Sequence, residues 1–256
     1  MDILIFGGQS NMQGQTEGLP CPNPIVEGAF EYRQTTDELL PLKHPVGENI
    51  GTGVDSLLRA ACEGGGNLVP AFCREYQKLT GRQVIAVHAA RGNTTIAEWR
   101  KGTKRYDFAK TKINKAIEKA KSLYEVEHIY YIWLQGESDA ILKRTANDYL
   151  QDLIAYKNHL KADFGIEKFG IIKVGYFASL APWVAGTPEE KAKDDEAIMN
   201  AQECAAILDE DFVILTRICP ELSRDSVYIN PYAVGHYNNA AMEIIGKEAA
   251  KRLAQQ

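Results

Sequence analysis

The chain has 256 residues, 45% hydrophobic and 25% charged, an ordinary soluble globular profile long enough to bury a full core, most simply as one domain over 1–256. A formal charge of −5 and a pI near 5.6 give no electrostatic reason to expect nucleic acid or an anionic membrane as partner. Five cysteines, at 21, 62, 73, 204 and 219, form no CxxC pair or zinc-type cluster. No apolar run approaches the roughly 18 residues of a membrane span, and no basic leader is visible. The expected location is the cytoplasm, or outside the cell if a leader has been trimmed.

In chain order, the apolar run Ile3–Phe6 ends in Gly7-Gly8 and predicts a buried strand breaking into a tight turn. Ser10 stands at the C-terminal mouth of that strand, where open α/β sheets bind ligands. It is the candidate nucleophile; the plainer reading is a turn serine that satisfies backbone groups. An irregular stretch at about 13–66 follows, with half of the prolines. It is expected to wall a substrate cleft, or to be a peripheral insertion.

Helix Ala71–Lys78 and strand Gln83–His88 lead to the turn Gly92-Asn93-Thr94-Thr95. That turn offers backbone N–H groups and an amide to an oxyanion, or simply caps a helix. In the predicted helix Asp107–Leu123, Phe108, Ile113, Ala116, Ile117 and Ala120 recur at helical spacing, and the lysines fill a solvated face. Strand His128–Leu134 runs into Gln135-Gly136-Glu137-Ser138-Asp139. Gln135 is a candidate oxyanion donor, and Glu137 and Asp139 are carboxylates able to orient a base; alternatively Gln135 satisfies backbone groups and Asp139 caps a helix.

Helix Ala146–Lys161, strand Phe169–Tyr176, a second irregular stretch Ala178–Pro188, helix Glu189–Leu208 and strand Phe212–Leu215 follow. His236 then stands directly before the final helix Tyr237–Leu253. A serine nucleophile needs a neighbouring base, and imidazole suits that task at neutral pH. Strands alternating with helices predict a mostly parallel sheet covered on both faces.

Four blocks occur in one order over almost the whole chain: Gly8-Gln9-Ser10-Asn11-Met12, Gly92-Asn93-Thr94-Thr95-Ile96 with Trp99, Trp133-x-Gln135-Gly136-Glu137-Ser138-Asp139, and His236 before the last helix. That order resembles the SGNH-hydrolase superfamily, in its sialate O-acetylesterase and acetylxylan esterase branch (carbohydrate esterase family six). Met12 replaces the second glycine of the α/β-hydrolase elbow, which sets the motif apart from that fold. The resemblance implies an α/β fold, a flavodoxin-like three-layer α/β/α sandwich with a mostly parallel sheet. It also implies a serine esterase that removes acetyl groups from acetylated xylan or a related sugar, with no metal or organic cofactor.

Carried over by motif, Ser10 is the nucleophile and His236 the general base. The N–H groups of Ser10 and Gly92, with the Gln135 side chain, are the oxyanion donors. Gln9, Asn93 and Trp99 are expected in the substrate pocket, with Trp99 and Tyr106 as candidates for an aromatic wall. Many relatives carry an aspartate three residues before the histidine, where this chain has Ala233. The orienting group is therefore expected elsewhere: Glu137 first, Asp225 second, a backbone carbonyl third. Two other functions fit the same motifs, a non-catalytic carbohydrate-binding relative and an esterase or thioesterase acting on non-sugar acyl esters.

Overall fold

A computed structural model describes residues 1–48 and 65–256. In chain order the elements are β1 (Asp2–Gly8), α1 (Ser10–Gln13), β2 (Ala29–Arg33), β3 (Glu38–Pro41), α2 (Val69–Thr80), β4 (Val84–Ala90), α3 (Lys104–Leu123), β5 (Ile129–Leu134), α4 (Glu137–Ile141), α5 (Ala146–Phe164), β6 (Lys168–Ile172), α6 (Pro188–Leu208), β7 (Phe212–Thr216), α7 (Cys219–Leu222) and α8 (Asn239–Leu253). Among the described residues, two 3-10 turns lie at Ile96–Trp99 and Ser226–Tyr228.

The strands form one seven-stranded sheet in the order β3-β2-β4-β1-β5-β6-β7, and every neighbouring pair is parallel except β2 with β3. With the β2–β3 hairpin set aside, the remaining five strands follow the flavodoxin-like order, whose ligand crevice opens beside the first strand, here between β1 and β5. Helices cover both faces. Phe6 of β1 meets Phe72 of α2 edge-on at 5.3 Å, and α8 lies so close to α2 that a Cβ at Gly246 would meet Ala71 at 3.0 Å. On the other face, Tyr131 and Trp133 of β5 pack on Tyr156 of α5, which in turn touches Tyr106 of α3.

The glycines that end β1 are required by that packing. A side chain at Gly7 would collide with the Tyr131 ring, and one at Gly8 with the Leu134 carbonyl. Gly8 also has φ of +141°, in the region that favours glycine. Strand β1 thereby runs tight against β5 and turns at once into α1.

The five predicted strands and five predicted long helices all occur, with two differences. The run expected to continue to Tyr176 leaves the sheet after Ile172, because its register on β7 shifts there. Beyond that point Val174 N–H donates to Gln202 and Tyr176 N–H to Ser223 instead of to a strand. The stretch expected to be irregular at about 13–66 contains the β2–β3 hairpin, and β2 pairs with β4 to widen the sheet. Its residues 49–64, Cys62 among them, lie outside the described residues.

Candidate active site

Ser10 opens α1 immediately after β1 and is only 5% exposed. Its Oγ lies 2.9 Å from Nε2 of His236, 226 residues away. The other ring nitrogen, Nδ1, lies 3.0 Å from the Val234 carbonyl oxygen. A carbonyl oxygen only accepts, so Nδ1 carries the proton in the neutral ring and the lone pair of Nε2 faces the serine hydroxyl. The edge of Phe177 stands against the imidazole at 5.2 Å, and burial holds the His236 pKa below its ordinary value of 6.5.

The loop carrying His236 is clamped by the residue next to the serine. Asn11 Oδ1 accepts from Tyr237 N–H at 3.2 Å, while its Nδ2 donates to the Gly235 carbonyl at 3.3 Å and to Glu137 Oε1 at 2.9 Å. Asn11 therefore grips the backbone on both sides of the histidine. Glu137 grips Asn11 from below. The second carboxylate oxygen of Glu137 is buried without a partner, and burial, partly offset by the Asn11 bond, pushes its pKa up to about 7.

These positions correct the expected orienting acid. Glu137 bonds Asn11 and not the imidazole. Asp225 caps the 3-10 turn at Ser226–Tyr228 by accepting from Val227 N–H at 3.0 Å. The Val234 carbonyl, a group available at any residue type, meets Nδ1 instead.

Gln135 is also corrected. It is fully buried, and its Nε2 lies within hydrogen-bond distance of Gln9 Oε1 (3.1 Å), the Thr94 carbonyl (2.9 Å) and Asp139 Oδ2 (2.5 Å). Two protons facing three acceptors leave nothing to donate to an oxyanion. Its role is to tie the Ser10 turn, the 92–99 turn and α4 together. Asp139 completes the tie by accepting from Ile96 N–H at 2.9 Å, and burial raises its pKa to about 6.

Gly92 N–H faces the site and donates to Gln13 Oε1 at 2.7 Å. Trp99, expected in the pocket, is fully buried, donates to Thr94 Oγ1 at 3.0 Å and packs on Trp133. Tyr106 is likewise buried, with its hydroxyl on Asp163. A cavity of about 400 Å³ opens at Ser10 and His236, with Gln9, Gly92 and Asn93 in its lining. Asn93 adopts φ of +56° there. Gln13, Phe177 and Trp183 line it too; Gln13 begins the 13–66 stretch expected to wall the cleft, and sequence reasoning missed the two aromatics. Gln13 lies three residues past the serine, one turn of α1, and the two aromatics border or lie within the second irregular stretch, so position was the available signal.

Among the described residues, one cluster has metal-ligand spacing: Asp2, Glu127 and His128. It lies at the N-terminal ends of the strands, away from Ser10, and Arg82 already sits 3.7 Å from Asp2 and 3.5 Å from Glu127. No described helix is long and apolar enough to cross a membrane.

This fold, with a serine and a histidine joined at the mouth of β1, is that of the SGNH hydrolases. The chain belongs to the family described as carbohydrate esterase, sialic acid-specific acetylesterase, whose model matches residues 1–254. It is accordingly an ester hydrolase of the acetylesterase class. A sequence comparison with curated proteins finds no match. Among solved structures, a protein from Arabidopsis thaliana is similar with a TM-score of 0.66 and 19% identity, over 98% of this chain and 96% of that one. A carbohydrate acetylesterase from Xanthomonas citri is similar with a TM-score of 0.53 and 16% identity, over 99% of this chain and 56% of that one. A lipase/acylhydrolase from Enterococcus faecalis has a TM-score of 0.53 and 12% identity, over 100% of this chain and 96% of that one. At these identities the likeness is one of fold.

Proposed function

We propose that this protein is a serine esterase that removes O-acetyl groups from carbohydrate hydroxyls through an acetyl-enzyme. The observation that carries the reading is the 2.9 Å approach of His236 Nε2 to Ser10 Oγ inside a solvent-open cavity. His236 takes the hydroxyl proton as Ser10 Oγ attacks the acetyl carbonyl, and the carbonyl π pair moves onto oxygen. When the tetrahedral intermediate collapses, the imidazolium returns its proton to the departing sugar oxygen. Water, deprotonated by the same ring, then attacks the acetyl carbonyl, and the imidazolium returns that proton to Ser10 Oγ as acetate leaves. The Val234 carbonyl holds the tautomer and accepts from the imidazolium, the part a carboxylate plays in a triad.

The developing oxyanion faces the N–H of Ser10, which as a first-turn group of α1 has no acceptor within the helix, and the N–H of Gly92. Gln13 Oε1 sits on Gly92 N–H, where a substrate oxygen would bind, and gives way to it. The family supports acetyl and sugar as the two halves of the substrate.

The test is hydrolysis of phenyl acetate and of acetylated sugars by wild type, Ser10→Ala and His236→Ala. Each variant is expected to lose about 10⁴-fold or more in kcat. Full activity in Ser10→Ala overturns the nucleophile. Failure of the wild type to react with a serine-directed organophosphate would favour a non-catalytic carbohydrate binder, and preference for long-chain aryl esters over acetates would favour a lipid or thioester substrate.

A further inference from the structure

The cavity beside Ser10 has a wall that acetyl transfer leaves unused. Trp183, on the stretch joining β6 to α6, lines the cavity and is 63% exposed. The chain's other two tryptophans, Trp99 and Trp133, are fully buried. An exposed aromatic counts for little alone, but this one lines the cavity that holds Ser10 and His236, and ligand sites are lined by aromatic side chains beside a few polar groups.

The segment presenting it is braced at both ends. Asp195 of α6 accepts from the N–H groups of Phe177, Ala178 and Ser179 at 2.9–3.2 Å. Lys191 Nζ donates to the Ala181 carbonyl at 3.0 Å, and Val184 N–H closes a turn onto the same carbonyl at 3.2 Å. The indole is therefore offered at a defined position. Hydrogen-bonding side chains, Gln13, Gln15 and Asn93, line the same cavity. An apolar flat face beside polar groups fits a pyranose, which has an apolar C–H face and a hydroxylated edge.

Resting on the sugar-ester reading above, we infer that Trp183 is the sugar platform of this site. It stacks the ring of an acetylated pyranoside while the ester reaches Ser10, and so sets preference for acetylated sugars over small aryl acetates. Trp183→Ala and Trp183→Phe are compared with wild type on phenyl acetate and on the better of two sugars, peracetylated xylobiose or glucose pentaacetate. For Trp183→Ala, KM on the sugar is expected to rise about tenfold with kcat little changed, so that the sugar-to-phenyl-acetate ratio of kcat/KM falls about tenfold; Trp183→Phe restores most of it.

Because Trp183 alone among the tryptophans is exposed, acrylamide quenching in the Ser10→Ala background reads its contact directly. The same sugar is expected to shield the fluorescence there, and to shield nothing once Trp183→Ala is added. An unchanged ratio, an equal fall on both substrates, or quenching unaffected by sugar overturns the platform. Wild type that cleaves phenyl acetate and neither sugar overturns the carbohydrate reading itself, and the platform with it.

Discussion

At the scale of single residues, the site separates orientation from charge. The imidazole is oriented by a carbonyl dipole, and the motif carboxylate Glu137 acts on Asn11. A triad acid and a positioning residue respond differently to the same substitution. Replacing a triad acid by its amide costs about 10⁴-fold, because the wrong tautomer is then favoured. Glu137→Gln keeps an oxygen for Asn11 and is expected to cost less than about tenfold in kcat/KM on phenyl acetate. Glu137→Ala leaves Asn11 ungripped, lets the His236 loop drift, and is expected to cost about 10²-fold. The raised Glu137 pKa adds a stability readout. Its folded value of about 7 lies above the ordinary 4.5, so the stabilisation is complete below about pH 4.5 and is lost as pH rises through 7. Thermal melts of Glu137→Gln between pH 5 and 8 are expected to show a flatter decline than wild type.

His236 itself gives a second residue-scale prediction. Burial lowers its pKa, with the ring's bond to Val234 and a backbone bond to Ala233 only partly opposing. The reaction needs the neutral ring, so kcat/KM rises with pH through a midpoint below 6.5 and is already past half of its plateau at pH 6.5. A midpoint above 6.5 would mean that a nearby negative charge stabilises the imidazolium, as a triad acid would.

At the scale of elements, what was legible in the sequence follows from what each residue type encodes. Long helices are written as periodic burial, as in Asp107–Leu123, whereas the fully buried strand Ile129–Leu134 shows as a short apolar run rich in aromatic and β-branched residues, too short for one of the long helices. The β2 strand was hidden because it breaks that code. Glu31 lies buried in the strand, held by Arg33 at 2.8 Å and by Gly47 N–H at 2.8 Å, so the charged side chains read as loop. In the site, Ser10 and His236 were visible because both stand at element boundaries where α/β sheets gather function.

Roles were harder to read than positions. Gln135 supplies a donor by type, but only the fold reveals that Gln9, Thr94 and Asp139 consume it. Trp99 is aromatic by type, and only packing decides that it is core while Trp183 faces water. The Val234 carbonyl leaves no trace at all, since every residue has one.

At the scale of the whole molecule, a buried ion pair links the widened sheet edge to α3. Lys112, in the middle of α3, is fully buried, and its ammonium lies 2.5 Å from Glu48 Oε2. That carboxylate also accepts from the N–H groups of Gln34 and Thr35 at 2.8 Å and from the Thr35 hydroxyl at 2.7 Å. Five groups from three parts of the chain thus meet where the hairpin turn, the 44–48 segment and α3 converge. Burial alone would raise the Glu48 pKa, but the Lys112 charge and these bonds outweigh it and hold the carboxyl below its ordinary range. Removing the cation by Lys112→Met leaves a buried carboxylate that no other cation among the described residues pairs with, a change expected to cost about 3–5 kcal/mol. Replacing both partners, Lys112→Met with Glu48→Gln, removes the uncompensated charge; the amide oxygen still accepts from the Thr35 groups, while its NH2 faces the Gln34 N–H, and the double variant is expected to recover part of that loss. Urea unfolding checks both, with the midpoint falling in the single variant and returning in part in the double at unchanged slope. Ser10 opens α1 directly after the central strand β1, away from this edge, so phenyl acetate turnover below the unfolding transition is expected to stay within about twofold in both variants. A single variant as stable as wild type would mean that the hairpin is held to the sheet by β2–β4 pairing alone, with the ion pair contributing nothing net.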